Sequence, residues 1–398
     1  MATPHALTGH ADAPAHTGAA LLVVLPAADP GQLEPLVVRL ARALPAERLL
    51  FALPEGIDLA SRDRVSVVNL PAANLSWTLT AANFAHAHAL TLTYQPRSVL
   101  LLGPEAHLLA PGGLQDLVGS TIGATADLVV PHYELPTRSG LVNSAILYPL
   151  CRALFAARAR FPLAVDLGLS PRTLAHLATS AQRLIALHQP DAPLWPVNEA
   201  AVAGFSVDEV DVGPRPLPQP AEPDLNSILS AVAGSLFSDV EAKAAFWQRA
   251  RIAPPARWPS SAPRHAGSDS AAEIASLLQA FRLACANLQE LWGLILPPQT
   301  LLALKRLSQA EASAFRLPEN LWARIVFDFL VAYRLRSLNR SHLFASLLPL
   351  YRAWVASHLS ALVAGADAER LIETQAIAFE TEKPYLVARW RWPDRFNP

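Results

Sequence analysis

Five short apolar runs, at residues 21–25, 49–53, 65–70, 99–102 and 128–130, limit this chain more than any other feature. A run that is apolar at every position suits a strand covered on both faces, because successive side chains point to opposite sides. Segments 33–44 and 74–92 between these runs are long enough to be helices. Parallel strands need such crossovers. The pattern predicts βαβ units, a largely parallel sheet and helices on its faces. In such sheets ligands gather outside the carboxyl ends of the strands, so the residues following each run are the ones to inspect.

Beyond Gly140 the reading is a helix over 142–159, an extended stretch over 162–169 and a helix opened by Pro171, where a missing N–H is tolerated. A late strand is expected at 205–212. Pro214, Pro216, Pro218, Pro220 and Pro223 then make 213–223 an extended loop. Residues 225–251 and 271–379 have helical patterns, joined by a Pro/Ser-rich connection at 254–270. The expected organisation is a flexible tail over 1–18, an α/β domain over 19–223 and a helical C-terminal domain over 224–398.

Composition sets the class. A hydrophobic fraction of 52% against 16% charged residues gives ample apolar surface for a core. The net charge of -1 offers no global attraction to a polyanion, so no nucleic-acid partner is expected. Cys151 and Cys285 lie far apart in apolar settings and predict no disulfide framework. The Ala/His/Thr-rich start lacks the basic and apolar regions of a signal peptide. Apolar stretches are interrupted by Pro149, by Pro297-Pro298 or by charges before about 18 residues accumulate. No membrane insertion and a cytoplasmic location are expected.

Several ordered stretches carry a resemblance. They are 126–133, 143–155 with its Tyr148-Pro149-Leu150 centre, 161–170 containing Asp166-Leu167-Gly168, and 194–200 beginning Leu194-Trp195-Pro196. Gly213-Pro214-Arg215, Asp224-Leu225, Gly234-Ser235-Leu236-Phe237 and the ending 380–398 follow in order. Together they resemble the GT-A glycosyltransferases that include mannosylglycerate synthase and glucosyl-3-phosphoglycerate synthase. The resemblance implies a GT-A fold, a mostly parallel sheet flanked by helices and followed by a helical C-terminal region. It also implies a nucleotide-sugar donor and a small acceptor such as glycerate or phosphoglycerate.

In that family an Asp-x-Asp motif holds a divalent cation that neutralises the leaving diphosphate; hard cations need oxygen ligands. The resemblance places the motif at Gly103-Pro104-Glu105. Glu105 is then either a residual contact to a metal, Mg or Mn, or to a ribose hydroxyl, or, after the Gly103-Pro104 turn, a cap at the start of a helix. The family's metal-binding His falls opposite Pro216, beside Arg215, which either contacts diphosphate as a fixed cation or is a solvated loop residue. Asn198 stands where the family has an Asp. Either Glu199 replaces that base, or Asn198 caps a helix with Glu199 in its first turn.

Asp166 is retained, but Ala164 and Val165 stand where the family has two glycines. It either lines an acceptor pocket or is a structural hydrogen-bond acceptor. Of the nucleotide-binding residues, Pro26, Asp29, Glu55 and Gly56 remain, and the family's glycine- and lysine-bearing segment is replaced near 75–77. No cofactor is therefore expected, with Mg or Mn entering only through Glu105. The functional expectation is a glycosyltransferase-like protein with impaired or lost catalysis that binds a ligand or partner. One alternative is an active, metal-independent transferase. Another is an interaction protein acting through its helical half, the region through which a homodimer would form, with Trp322, Trp354, Trp390 and Trp392 as anchors or core residues.

Overall fold

The computed structural model describes residues 20–27, 30–44, 47–54, 65–71, 76–218, 224–250 and 270–393. Seven strands form one sheet: β1 (Leu21–Val24), β2 (Leu49–Pro54), β3 (Val65–Leu70), β4 (Ser98–Leu102), β5 (Leu128–Glu134), β6 (Asp166–Leu169) and β7 (Val207–Pro214). Their spatial order is β3-β2-β1-β4-β6-β5-β7. Every pairing is parallel except those of β6, which runs antiparallel to β4 and β5. All residues of β1 and β4 are buried, as their unbroken apolar runs require.

Helices α1 (Pro30–Ala43), α2 (Ala81–Tyr94), α3 (Pro111–Ile122), α4 (Tyr148–Phe155), α5 (Pro171–Ala186) and α6 (Pro196–Ala203) flank this mostly parallel sheet. A large helical region follows: α7 (Leu225–Ala242), α8 (Ala244–Trp247), α9 (Ser270–Asn287), α10 (Gln289–Trp292), α11 (Pro298–Ser308), α12 (Glu319–Leu335), α13 (Arg340–Val363) and α14 (Ala368–Arg391).

Several boundaries differ from expectation for local reasons. Helix α2 starts at Ala81 because Asn83 Oδ1 accepts the Thr80 N–H at 2.9 Å in a capping box. The helix read over 142–159 is a π turn at Asn143–Leu147 continuing into α4, and it ends at Ala156, where φ is 55°. The extended stretch 162–169 contributes a strand only from Asp166. Helix α14 runs on through Pro384, because Phe379, Lys383, Leu386 and Trp390 keep helical spacing and bury one face. The tail 1–18 and most of the connection 254–270 lie outside the described residues.

Sheet and helical region share one continuous apolar core. Polar ties reinforce it. Arg152 of α4 is 1% exposed; its Nε lies 2.9 Å from Glu380 Oε1 and its Nη1 2.6 Å from Glu373 Oε2, both carboxylates on α14. Trp322 Nε1 donates to the Ala145 carbonyl at 2.8 Å. Trp322, Trp354 and Trp390 are buried, whereas Trp392 is 70% exposed. Both cysteines are free. Among the described residues no helix is long and apolar enough to cross a membrane.

One close approach and one strand pairing set the centre of the sheet. A Cβ on Gly168 would lie 1.9 Å from the Leu117 carbonyl oxygen, so α3 can pack on β6 only over a glycine. Pairing of Leu102 with Asp166 then brings Asp166 to the carboxyl end of β4, beside Gly103.

Candidate functional site

Asp166 lies 0% exposed at the start of β6, surrounded by donors. Tyr133 at the end of β5 donates its hydroxyl to Oδ2 at 2.8 Å, and the Gly103 N–H reaches Oδ1 at 3.3 Å. Arg215, just past β7, completes the shell. Its Nε lies 3.0 Å from Oδ2 and its Nη2 donates to Oδ1 at 3.1 Å. Nη2 also donates to the Pro104 carbonyl at 2.6 Å, and Nη1 to the Pro216 carbonyl at 3.2 Å. The guanidinium carbon sits 5.6 Å from the centre of the Tyr133 ring. Both charged side chains have no solvent exposure.

Charge balance follows from this geometry. Burial pushes the Asp166 carboxyl above its ordinary value, while Arg215, Tyr133 and the Gly103 N–H pull it down. A guanidinium does not release its proton in a protein, so protonating Asp166 would strand a buried cation. The carboxylate form therefore balances Arg215. Burial, then the neighbouring carboxylate, hold Tyr133 well above its usual range, so its hydroxyl remains a donor.

The turn after β4 is closely packed. A Cβ on Gly103 would meet Val165 Cβ at 2.8 Å and the Val165 carbonyl oxygen at 2.9 Å. Small and large residues have changed places relative to the implied family pattern: a glycine stands at the first motif position and a valine where a glycine is implied opposite it. Glu105 is exposed, with φ at 63°, and precedes a 3-10 turn at Ala106–Leu108 without making a side-chain cap. Among the described residues no group of three or more His, Cys, Asp or Glu side chains could hold a metal ion.

Asn198 and Glu199 belong to a different cluster. Trp195 is the N-cap of α6, with Pro196 at its first position, so Asn198 lies one turn inside instead of capping. Asn198 Nδ2 donates to Asp239 Oδ2 at 2.9 Å. Glu199 Oε1 pairs with Lys243 Nζ at 2.8 Å and its Oε2 lies 3.2 Å from His176 Nε2. Lys243 also pairs with Asp239. This buried network ties α6 to the end of α7 and shares no partner with Asp166. Of the sequence candidates, Gly103, Asp166 and Arg215 thus come together, Glu105 sits at the edge, and Asn198 and Glu199 do not join them.

Pro26 is half-buried beside Pro54, Leu70, Pro71, Asn83 and His86, around a cleft of about 10 Å³. Asp29, Glu55 and Gly56 lie outside the described residues. Sequence reasoning missed Tyr133, although it ends one of the motif stretches and has the hydroxyl that a buried carboxylate seeks.

A larger cavity of about 280 Å³ opens between the ends of β5 and β7 and the α13–α14 turn, next to Tyr133. On its wall Glu209 accepts the Arg160 N–H at 2.7 Å. Burial pushes the Glu209 carboxyl up to about 8, against the downward pull of Arg160. An unfolded Glu titrates near about 4.3, so the native state retains a proton that the unfolded chain releases. The associated stability is complete below that value and disappears as pH rises through about 8. Urea unfolding is expected to show a fall on the order of 2–4 kcal/mol between about pH 4 and 8 that Glu209→Gln removes. An unchanged pH profile in the variant would assign the fall elsewhere.

No family model and no curated protein matches the chain. Among solved structures it is similar to glucosyl-3-phosphoglycerate synthase from Mycobacterium tuberculosis. In complex with Mn2+, uridine-diphosphate-glucose and phosphoglyceric acid, that protein is 18% identical over 56% of this chain and 79% of its own, with a TM-score of 0.39. In complex with phosphoglyceric acid alone the TM-score is 0.37, at the same identity and coverage. A mycobacterial protein is 16% identical over 56% of this chain and 74% of its own, with a TM-score of 0.36.

Proposed function

We propose that this chain is a glycosyltransferase-like protein that has lost sugar transfer and acts by binding a small ligand. One observation carries the reading: the carboxyl end of β4, where the resemblance puts the cation and leaving diphosphate, is filled by the buried Arg215–Asp166 pair. The mostly parallel sheet with a helical region after it is the architecture that the resemblance implies.

A diphosphate leaving group requires compensating positive charge. Gly103 has no ligand atom in its side chain, and Glu105 is one exposed carboxylate on a strained turn. These residues do not fit a divalent cation that needs several oxygen ligands. Arg215 does not replace the cation for a donor either, because its charge is already balanced by Asp166 and its Nη1 and Nη2 groups donate to Pro216, Pro104 and Asp166. That commitment weighs against an active metal-independent enzyme. Asp166 serves as a structural counter-ion, and the 280 Å³ cavity beside Tyr133 is the open ligand site.

The test is turnover. Purified protein incubated with UDP-, GDP- and ADP-sugars and with glycerate or phosphoglycerate should release no nucleotide above the buffer control, with or without Mn2+ or Mg2+. Enzyme-dependent transfer to either acid would refute the proposal.

A further inference from the structure

The open cavity carries chemistry of its own. At about 280 Å³ it sits near the lower end, about 300 Å³, of ordinary small-molecule pockets, so its occupant is small. Its wall mixes donors and acceptors. Arg160 is 4% exposed; its Nε lies 3.4 Å from Glu369 Oε2 and its Nη2 donates to Ser144 Oγ at 3.2 Å. Its Nη1 is buried with no hydrogen-bond partner among the described residues.

The charge around that guanidinium is unbalanced. Among the described residues, Glu134, Asp211, Asp367 and Glu369 line the cavity together with Arg160, whose charge is already paired with Glu369. The histidines on the wall do not redress it. Burial pulls His132 below its ordinary value and takes His358 down to about 4, so both are neutral near pH 7. Glu209, protonated up to about 8, is a neutral group able both to donate and to accept. An anion would meet net repulsion here, whereas hydroxyl groups find acceptors for their protons and donors for their lone pairs. Phe161, Leu362 and Ile372 supply an apolar wall for C–H faces.

We propose that this cavity binds an uncharged polyhydroxylated molecule, a polyol or monosaccharide, in preference to a phosphorylated or carboxylated acid. The inference rests on the reading of the cavity as the open ligand site and adds the class of ligand. It departs from the acid acceptors that the family resemblance implies, because those need a cationic pocket.

Isothermal titration of the full chain with erythritol, myo-inositol and D-glucose, against glycerate and 3-phosphoglycerate, tests it. At least one neutral compound should bind saturably, with the acids about tenfold weaker or more. Ala366→Trp, on the half-buried α13–α14 turn, should fill the cavity and abolish that binding without lowering the melting temperature. Arg160→Met should weaken it about tenfold if the variant folds. Absence of saturable binding by every neutral compound, tighter binding of the acids, or binding undiminished by Ala366→Trp would each overturn the inference. The two readings fail separately. Missing polyol binding together with missing transfer leaves the filled centre standing, while transfer onto a bound polyol would overturn the lost catalysis and not the ligand class.

Discussion

Asp166→Ala should cost about 3–5 kcal/mol in urea unfolding, a large share of the roughly 5–15 kcal/mol that a folded chain has. The reason is Arg215. Without its carboxylate, a guanidinium with no solvent exposure keeps, among the described residues, the carbonyls of Pro104 and Pro216 as acceptors and the Tyr133 ring as neighbour, with no counter-charge. Replacing both charges by apolar residues of similar size, Asp166→Leu with Arg215→Met, should restore much of the loss, since a paired replacement strands neither ion. A catalytic carboxylate behaves in the opposite way, because its removal sacrifices activity and spares stability. An Asp166→Ala protein as stable as the wild type would remove the structural role assigned here.

The turn after β4 yields the second large effect. Gly103→Asp, which rebuilds the first implied metal ligand, should unfold the protein or destabilise it by about 3 kcal/mol or more. Its Cβ would fall 2.8 Å from Val165 Cβ and 2.9 Å from the Val165 carbonyl oxygen, next to Asp166. The milder Gly103→Ala should cost about 1–3 kcal/mol. Combined with Val165→Gly, it should show a favourable coupling of about 1 kcal/mol, since that change removes one of the two clashing groups. Additive costs in the double-mutant cycle would mean that the two positions do not restrict each other. A favourable coupling would mean that side chains at 103 and 165 exclude each other, so that a single substitution cannot place a carboxylate at 103.

Much of the fold was legible because buried parallel strands write themselves as unbroken apolar runs. The runs at 21–25 and 99–102 match the buried strands β1 and β4 almost residue for residue. Short-range signals failed where tertiary pairing decides. Strand β5 runs on to Glu134 because β7 pairs with it that far, and nothing local at Tyr133 announces this. The continuation of α14 past Pro384 depends on a buried face that a proline-centred reading undervalues.

The site was legible as a set of positions and not as a set of contacts. Gly103, Asp166 and Arg215 were singled out separately, but the pairing of Arg215 with Asp166 spans 49 residues and has no periodic signature. An arginine in a proline-rich loop looks solvated until the sheet is closed around it. Asn198 and Glu199 are misleading for the same reason: their partners, Asp239 in α7 and Lys243 just after it, lie across the proline-rich loop 213–223.

If a guanidinium holds the place that a divalent ion would need, Mn2+ finds no site beside UDP on this protein. Electron paramagnetic resonance of Mn2+, titrated with the protein and UDP, addresses this directly. The free-ion signal should match that of Mn2+ and UDP alone at every protein concentration. A stoichiometric loss of signal that requires both protein and UDP, and that Glu105→Ala restores, would contradict it.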